Sequence, residues 1–233
     1  MASNRTQGDA MALSSRAMTA DQKQLRRASI LTVALARFAD TPYNELTMDR
    51  IAADAAVAKG TLYLYFRSKE ELFLALYEDE LARWFDELDA SLEKNRRAAS
   101  FDNVVQLLCD SLKNRPMFLR LIAIVHTVLE RNVDWATVRR FKTHMKERVL
   151  NTGALLEASL PFLKPAQGAD LLLKINALVI GFQHLAEPSG VAAEILKEPD
   201  LALFRVNLTE QLLNTLRTLL MGLAYQAKYG SEK

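Results

Sequence analysis

An all-helical architecture is expected from three features of the chain. Apolar residues recur at spacings of three and four from Asp21 nearly to the end, the repeat of one face of a helix. No run of strict alternation is long enough for a strand. Only 8 glycines and 6 prolines occur in 233 residues, too few for the many turns of an all-β fold.

The elements follow in order. Thr19 with Gln22 reads as a capping box that opens a first helix, with Ile30, Ala34 and Phe38 on one face and Leu31 and Leu35 beside them; Pro42 closes it. Thr47 supplies the N-cap hydroxyl of a short helix reaching about Ala55 and burying Ile51 and Ala52. After Ala56, Val57 and Ala58 comes a third helix, Lys59 to Phe66, with Leu62 and Phe66 inward. Ser68 then caps a long helix striped with Leu72, Leu76 and Leu81. Beyond a polar break at Asn95 to Ser100, four or five more helices read as an antiparallel bundle. Pro116 suits the first turn of a helix ending near Arg131. Trp135 opens another, with Val138, Phe141, Met145, Val149, Thr152 and Leu156 in repeat, Gly153 permitting close contact, and Pro161 and Pro165 bounding its end. Gln167 to Ala186 is apolar on almost every side and must bury two faces. After a loop from Pro188 to Pro199, the last helix repeats leucine from Leu201 to Leu223.

Half the residues are apolar and a quarter charged, which excludes a disordered or collagenous chain. Lys174, Asn176 and Gln183 interrupt the apolar stretches, so no membrane span, and no membrane partner, is expected. The first 18 residues lack the apolar core of a secretory signal, and Cys109 stands alone, which excludes an internal disulfide and fits the cytoplasm. Charge is uneven. Residues 1–70 carry 10 Lys or Arg against 7 Asp or Glu, net +3, and the remainder 20 against 21, net −1. The head is the polyanion-facing part.

Two short helices joined by three residues have the spacing of a helix-turn-helix, whose second helix enters the DNA major groove. At about 100° per residue, burial of Leu62 and Phe66 turns Gly60, Thr61 and Leu64 outward, with Lys59 and Tyr63 on one flank and Tyr65 on the other. Gly60 lets the backbone come close, Thr61 suits a base edge or a thymine methyl, Leu64 a thymine methyl, and Lys59 a guanine or a phosphate. The hydroxyls of Tyr63, Tyr65 and Thr47 and the ammonium of Lys69 suit phosphates on either side.

Residues 30 to 74 carry Ile-Leu-x-x-Ala-Leu-x-x-Phe-Ala, then Leu-Thr-Met-Asp-Arg-Ile-Ala-x-x-Ala, then Lys-Gly-Thr-Leu-Tyr-x-Tyr-Phe-x-Ser-Lys-Glu-Glu-Leu. This segment strongly resembles the DNA-binding domain of the TetR family of bacterial repressors. The resemblance implies a tail over 1–19, a three-helix DNA-binding domain over 20–67, a connecting helix over 68–94 and a ligand-binding and dimerisation domain over 95–233. It also implies a homodimer on a palindromic double-stranded operator, released by a small-molecule effector. Three positions depart from the family's pattern. Pro42 stands where glycine is usual after the first helix, and Ala56 and Ala58 stand in a turn usually Gly-Val-Ser. Alanine at 56 costs about 1 kcal/mol if the left-handed geometry is kept, and alanine at 58 lacks a capping hydroxyl.

For the body, Met117, Phe118, Ile122, Trp135, Phe141, Met145 and Phe182 are candidates to line an apolar cavity, with His126, Asn176, Gln183 and His184 as polar groups that orient a ligand. Each is equally compatible with ordinary core. The expected dimer interface is a four-helix pairing through Leu172, Ile175, Val179, Phe182, Leu212, Leu216 and Leu219. Each histidine precedes a glutamate by three or four residues, a spacing that surface pairing explains better than a metal; no metal, cofactor or catalytic residue is assigned. Two rivals stay open: a regulator with a filled core and no ligand, and a helical hydrolase built on the His–Glu pairs.

Overall fold

The computed structural model describes residues 19–96, 100–188 and 190–229, which fall into two units divided after Leu72. The expected tail over 1–19 lies outside the described residues except for Thr19.

In the first unit, α1 (Ala20–Asp40) begins with the expected capping box: the Thr19 hydroxyl accepts from the Gln22 amide and the Gln22 side chain returns to the Thr19 amide. It ends where Pro42 forces Thr41 into extended geometry. A single 3-10 turn, Tyr43–Glu45, leads to α2 (Met48–Asp54), whose cap is the Thr47 hydroxyl, accepting from the Arg50 amide. The recognition-helix candidate α3 (Lys59–Tyr65) follows. Ala56 adopts φ 52°, so the left-handed turn is kept without glycine, and Ala58 begins α3 with no side-chain cap. Ile30, Leu31, Ala34, Phe38, Leu46, Ile51, Leu62 and Phe66 form the core. Arg37 grips Asp54 through Nε at 2.5 Å and Nη2 at 2.8 Å, tying α1 to α2.

The division falls inside α4 (Lys69–Asn95), so one turn of the connecting helix belongs to the first unit and the rest to the second. Ser68 Oγ accepts from the Glu71 amide, and Glu71 accepts from the Arg67 amide at 2.7 Å.

The second unit continues with α5 (Phe101–Lys113), capped by Ser100, and α6 (Pro116–Ile124), which has proline in its first turn. The helix expected to reach Arg131 instead changes pitch: one π-helical turn, Val125–Leu129, and a 3-10 turn, Glu130–Asn132, complete it. Asp134 caps α7 (Trp135–Ser159); α8 is Gln167–Ala186, α9 is Gly190–Ile195, and a 3-10 stretch, Pro199–Phe204, precedes α10 (Leu208–Tyr229). Helix α8 packs against α6, α7 and α10.

Two devices fix the bundle. The first is a polar seam between α4 and α7. Arg140 meets Glu78 at 3.5 Å, Arg148 meets Asp86 at 2.7 Å, and Asp89 accepts from Asn151 at 3.0 Å and Thr152 at 2.5 Å. Partners stay 62 or 63 residues apart, so the two helices run parallel. The second is backbone contact between Gly153 and Gly168: a Cβ on Gly153 would lie 2.6 Å from the Ala169 nitrogen, and one on Gly168 would overlap the Gly153 carbonyl. The close contact expected at Gly153 is therefore with the first turn of α8.

Helix α8 corrects the expected dimer interface. By length and composition alone it is apolar enough to cross a membrane, a test that the core helix of a helical bundle also passes. Its inward face is Leu171, Leu172, Ile175 and Val179, all buried in the protomer, as are Leu212 and Leu216 of α10. Five residues expected at a dimer interface (Leu172, Ile175, Val179, Leu212 and Leu216) are therefore core, with no surface left for a partner. Phe182 and Leu219 are half-buried. The faces left outward carry Leu173, Ala177, Gly181 and Leu185 on α8, and Thr218, Met221, Tyr225 and Tyr229 on α10.

Candidate nucleic-acid interface and effector cavity

Burial of Leu62 and Phe66 sets the rotation of α3 and directs Leu64, 86% exposed, with Tyr63, Gly60 and Lys59, into solvent. A side chain added at Gly60 would meet nothing within 4 Å, so the backbone there is open to close approach. Thr61 and Tyr65 are half-buried at the margins, so their contribution is narrower than the angular reading implied. The surface is polar, with one exposed leucine at its centre.

Two cations differ from their expected settings. Lys59 Nζ pairs with Asp49 of α2 at 2.7 Å, which raises its pKa, and a phosphate or guanine must compete with that carboxylate. Lys69 Nζ donates to the carbonyls of Tyr43 at 2.9 Å and Leu46 at 3.0 Å, and lies 4.1 Å from the Tyr43 ring centroid; burial lowers its pKa. Tyr43, which the sequence reading passed over, donates its hydroxyl to Glu70 at 3.0 Å. Burial and that carboxylate push the phenol's pKa up. Arg27 covers the Phe66 ring at 5.4 Å, and Arg50 is exposed on α2. A signal for Tyr43 is present, since an aromatic directly after Pro42 in a short turn needs burial, but its partners Lys69 and Glu70 lie 26 and 27 residues away.

In the second unit, Tyr77, Trp84, Phe118 and Phe141 form a ring cluster. Tyr77 and Phe118 stack at 5.7 Å, Trp84 stacks on Phe118 at 5.7 Å, and Phe141 meets Tyr77 edge-on at 5.8 Å. The Trp84 indole donates to Ser111 at 2.9 Å. Beside the cluster lies a small cavity of about 30 Å³. Its lining brings together Phe118, Ile122, Met145 and Asn176 of the expected set. To these it adds Tyr77, Leu81, Trp84 and Phe85 of α4, Leu112, Val149, Leu173, and the misassigned Leu172, Ile175 and Val179.

The other candidates do not line it. Trp135 is 73% exposed with Arg139 against its ring, Met117 and Phe182 are half-buried, Phe141 lies behind Tyr77, and Gln183 is buried elsewhere. His126 pairs with Glu130 at 3.2 Å, and Glu130 also takes Lys142 at 2.6 Å. His184 is exposed. Among the described residues no three His, Cys, Asp or Glu side chains converge on one point. The α4 wall is legible in the sequence as Tyr77, Leu81, Trp84 and Phe85 at helical spacing, beside the leucine stripe of the same helix.

Residues 30–76 match the model of bacterial regulatory proteins of the tetR family, and residues 78–227 match a tetracyclin repressor-like C-terminal domain. A fatty acid metabolism regulator protein of Bacillus subtilis is 27% identical over 77 residues, 33% of this chain and 40% of that protein. Nucleoid occlusion factor SlmA of Pasteurella multocida is 27% identical over 128 residues, 54% of this chain and 64% of that one. The chain thus aligns with less than two thirds of the length of these curated relatives. Among solved structures, the fatty acid degradation regulator FadR from Bacillus halodurans superposes with a TM-score of 0.55 at 20% identity, covering 84% of this chain and 95% of that one. FadR from Bacillus subtilis in complex with stearoyl-CoA gives 0.51 at 16%, covering 82% and 97%. Both likenesses establish the fold.

Proposed function

The chain belongs to the TetR family of DNA-binding transcriptional regulators, and is not an enzyme; from that premise we propose that it is a homodimeric repressor that holds a palindromic operator and releases it when a mainly apolar small molecule enters the second unit. The observation that carries the reading is the outward surface of α3, where Lys59, Gly60, Tyr63 and Leu64 face solvent around a buried Leu62. Leu64 and Thr61 read bases, while Tyr63, Tyr65 and Thr47 grip phosphates. A regulator of this kind works where the chromosome is, in the bacterial cytoplasm.

The dimer is supported by apolar residues that the protomer leaves outward. Leu173, Ala177, Gly181 and Leu185 form one stripe at four-residue spacing on α8, and Met221 and Tyr225 are exposed on α10. Such a surface is costly in water and suits a two-fold pairing of α8 and α10 with their copies.

The effector reading is supported by the cavity. Its lining is apolar and aromatic, as in small-molecule sites, but at about 30 Å³ the cavity holds little more than water. A ligand must therefore part α4 from α7 and α8, and it shifts the population toward that wider arrangement by its preference for it. Movement of α4 would then change the separation of the two α3 helices, which must fit successive major-groove faces.

Selection of duplexes from a random pool, followed by footprinting, tests the DNA reading: a palindrome with two half-sites about one helical turn apart is expected, and recovery of no enriched sequence overturns it. A thermal-shift screen tests the effector. Because the Bacillus subtilis relative holds stearoyl-CoA, saturated acyl-CoAs are the first compounds to try, followed by neutral lipophiles. A binder at 100 times its dissociation constant should stabilise the protein by about 2.7 kcal/mol and release the duplex.

A further inference from the structure

We propose that Lys69 is a positioning residue for DNA recognition: its ammonium holds the backbone that leads into α2, in place of the phosphate contact that its motif suggests. The inference rests on the duplex binding assigned above. Lys69 opens α4, yet its Nζ reaches back to the carbonyls of Tyr43 and Leu46, at 2.9 and 3.0 Å. The Tyr43 carbonyl already accepts from the Leu46 amide at 3.2 Å, closing the 3-10 turn. The ammonium therefore satisfies the open end of that turn, as a cation does at a helix C-terminus. The next residue is Thr47, whose hydroxyl starts α2.

The same turn is held a second time. The Tyr43 hydroxyl donates to Glu70 at 3.0 Å, and the Tyr43 ring lies against the Lys69 ammonium. Two consecutive residues of α4 thus grip opposite ends of one buried tyrosine, 8% exposed. The entry of α2, and through it the pitch at which α3 is presented, is referenced to the first turn of α4. An ammonium has three donors, and two are committed here. A phosphate drawing this charge outward would take the ammonium from both carbonyls, leaving that of Tyr43 only its bond from the Leu46 amide.

A phosphate contact and a positioning role differ in what they do to non-specific binding. The experiment uses the full-length protein, a duplex selected from the random pool, and an unselected duplex of equal length. For K69M we expect at least a tenfold loss of affinity for the selected duplex, less than a twofold change for the unselected one, and an unchanged slope of log K against log salt. K69R, which keeps donors for both carbonyls, should recover most of the loss, and Tyr43→Phe, which removes only the Glu70 link, should fall between. Equal weakening of both duplexes, with the slope reduced by about one, would identify a phosphate contact and overturn the proposal, as would wild-type affinity of K69M for both. If thermal unfolding shows that K69M does not fold, K69Q decides: it keeps a donor and loses the charge, so an unchanged slope supports positioning and a slope reduced by about one overturns it. Binding of the selected duplex by the wild-type protein separately establishes the premise.

Discussion

Ala56 shows what a single residue concedes to its turn. Its φ of 52° is kept because the amides of Ala56 and Val57 bond back to Ala53 and Ala52, at a cost of about 1 kcal/mol for a side chain in the left-handed region. Ala56→Gly should therefore raise the stability of the first unit by up to about 1 kcal/mol, read as an upward shift in thermal unfolding; an unchanged or lower midpoint would show that the loss of backbone freedom on folding cancels the relief. On α3 the expected division of labour is by exposure. Leu64→Ala should change which base is preferred at one position of each half-site and leave the salt slope alone, whereas Tyr63→Phe should weaken all duplexes alike; competition binding on single-base variants distinguishes them. Cys109 is buried, and desolvation lifts its thiol to about 11. It should resist thiol reagents at neutral pH until the protein unfolds. Because its folded pKa lies above its ordinary value of 9.0, its contribution to stability is complete below pH 9 and is lost as pH rises towards 11.

Between elements, the two devices of the second unit predict different failures. The Asp89 carboxylate takes Thr152, Asn151 and Arg148 together, and Thr152 is fully buried. Asp89→Ala strands these donors and should cost about 1–3 kcal/mol, while Asp89→Asn keeps one acceptor oxygen and should cost less; denaturant unfolding gives both, and equal losses would mean that the charge rather than the hydrogen bonds matters. At the α7–α8 contact the packing is backbone to backbone, so Gly168→Val must push the helices apart and should cost about 1–3 kcal/mol or more. Helix α6 forms one wall of the cavity. It contributes Phe118 and Ile122, and it ends in a π-helical turn, Val125–Leu129, in which the regular helical ladder is interrupted.

For the whole molecule, the question is which apolar surface serves the protomer and which serves a partner. Leu216 is fully buried in the protomer, so Leu216→Glu should unfold the second unit, at a cost of several kcal/mol for an unpaired charge. Leu185 is 56% exposed on the outward stripe and does not line the cavity, so Leu185→Glu should instead leave a folded protein that sediments as a monomer and binds the operator weakly. Circular dichroism and sedimentation of the two variants separate these outcomes. A Leu185→Glu protein that remains dimeric would place the two-fold elsewhere. The excursion between α8 and α10, pinned by Arg205 to the carbonyls of Leu196, Lys197 and Glu198, is the other surface to test, since it exposes Val191, Leu203 and Phe204.

The residues by themselves determined the helix-turn-helix with its caps and most of the later helices, because these depend on neighbours within one or two turns; they did not reveal α9 inside the expected Pro188 to Pro199 loop, or that the last helix starts at Leu208 rather than Leu201. Thr19 with Gln22, Thr47, the strained Ala56 and the inward pair Leu62 and Phe66 all stand as their local sequence requires. The side of α8 that turns inward was decided only by tertiary packing. Periodicity gives the angle between residues on a helix but not the direction of the core, and on a helix apolar all round either side satisfies the pattern. The same limit hid the partners of Lys69 and Asp89. Each charge settles on groups more than 20 residues away, chosen by which carbonyls and hydroxyls folding leaves without water.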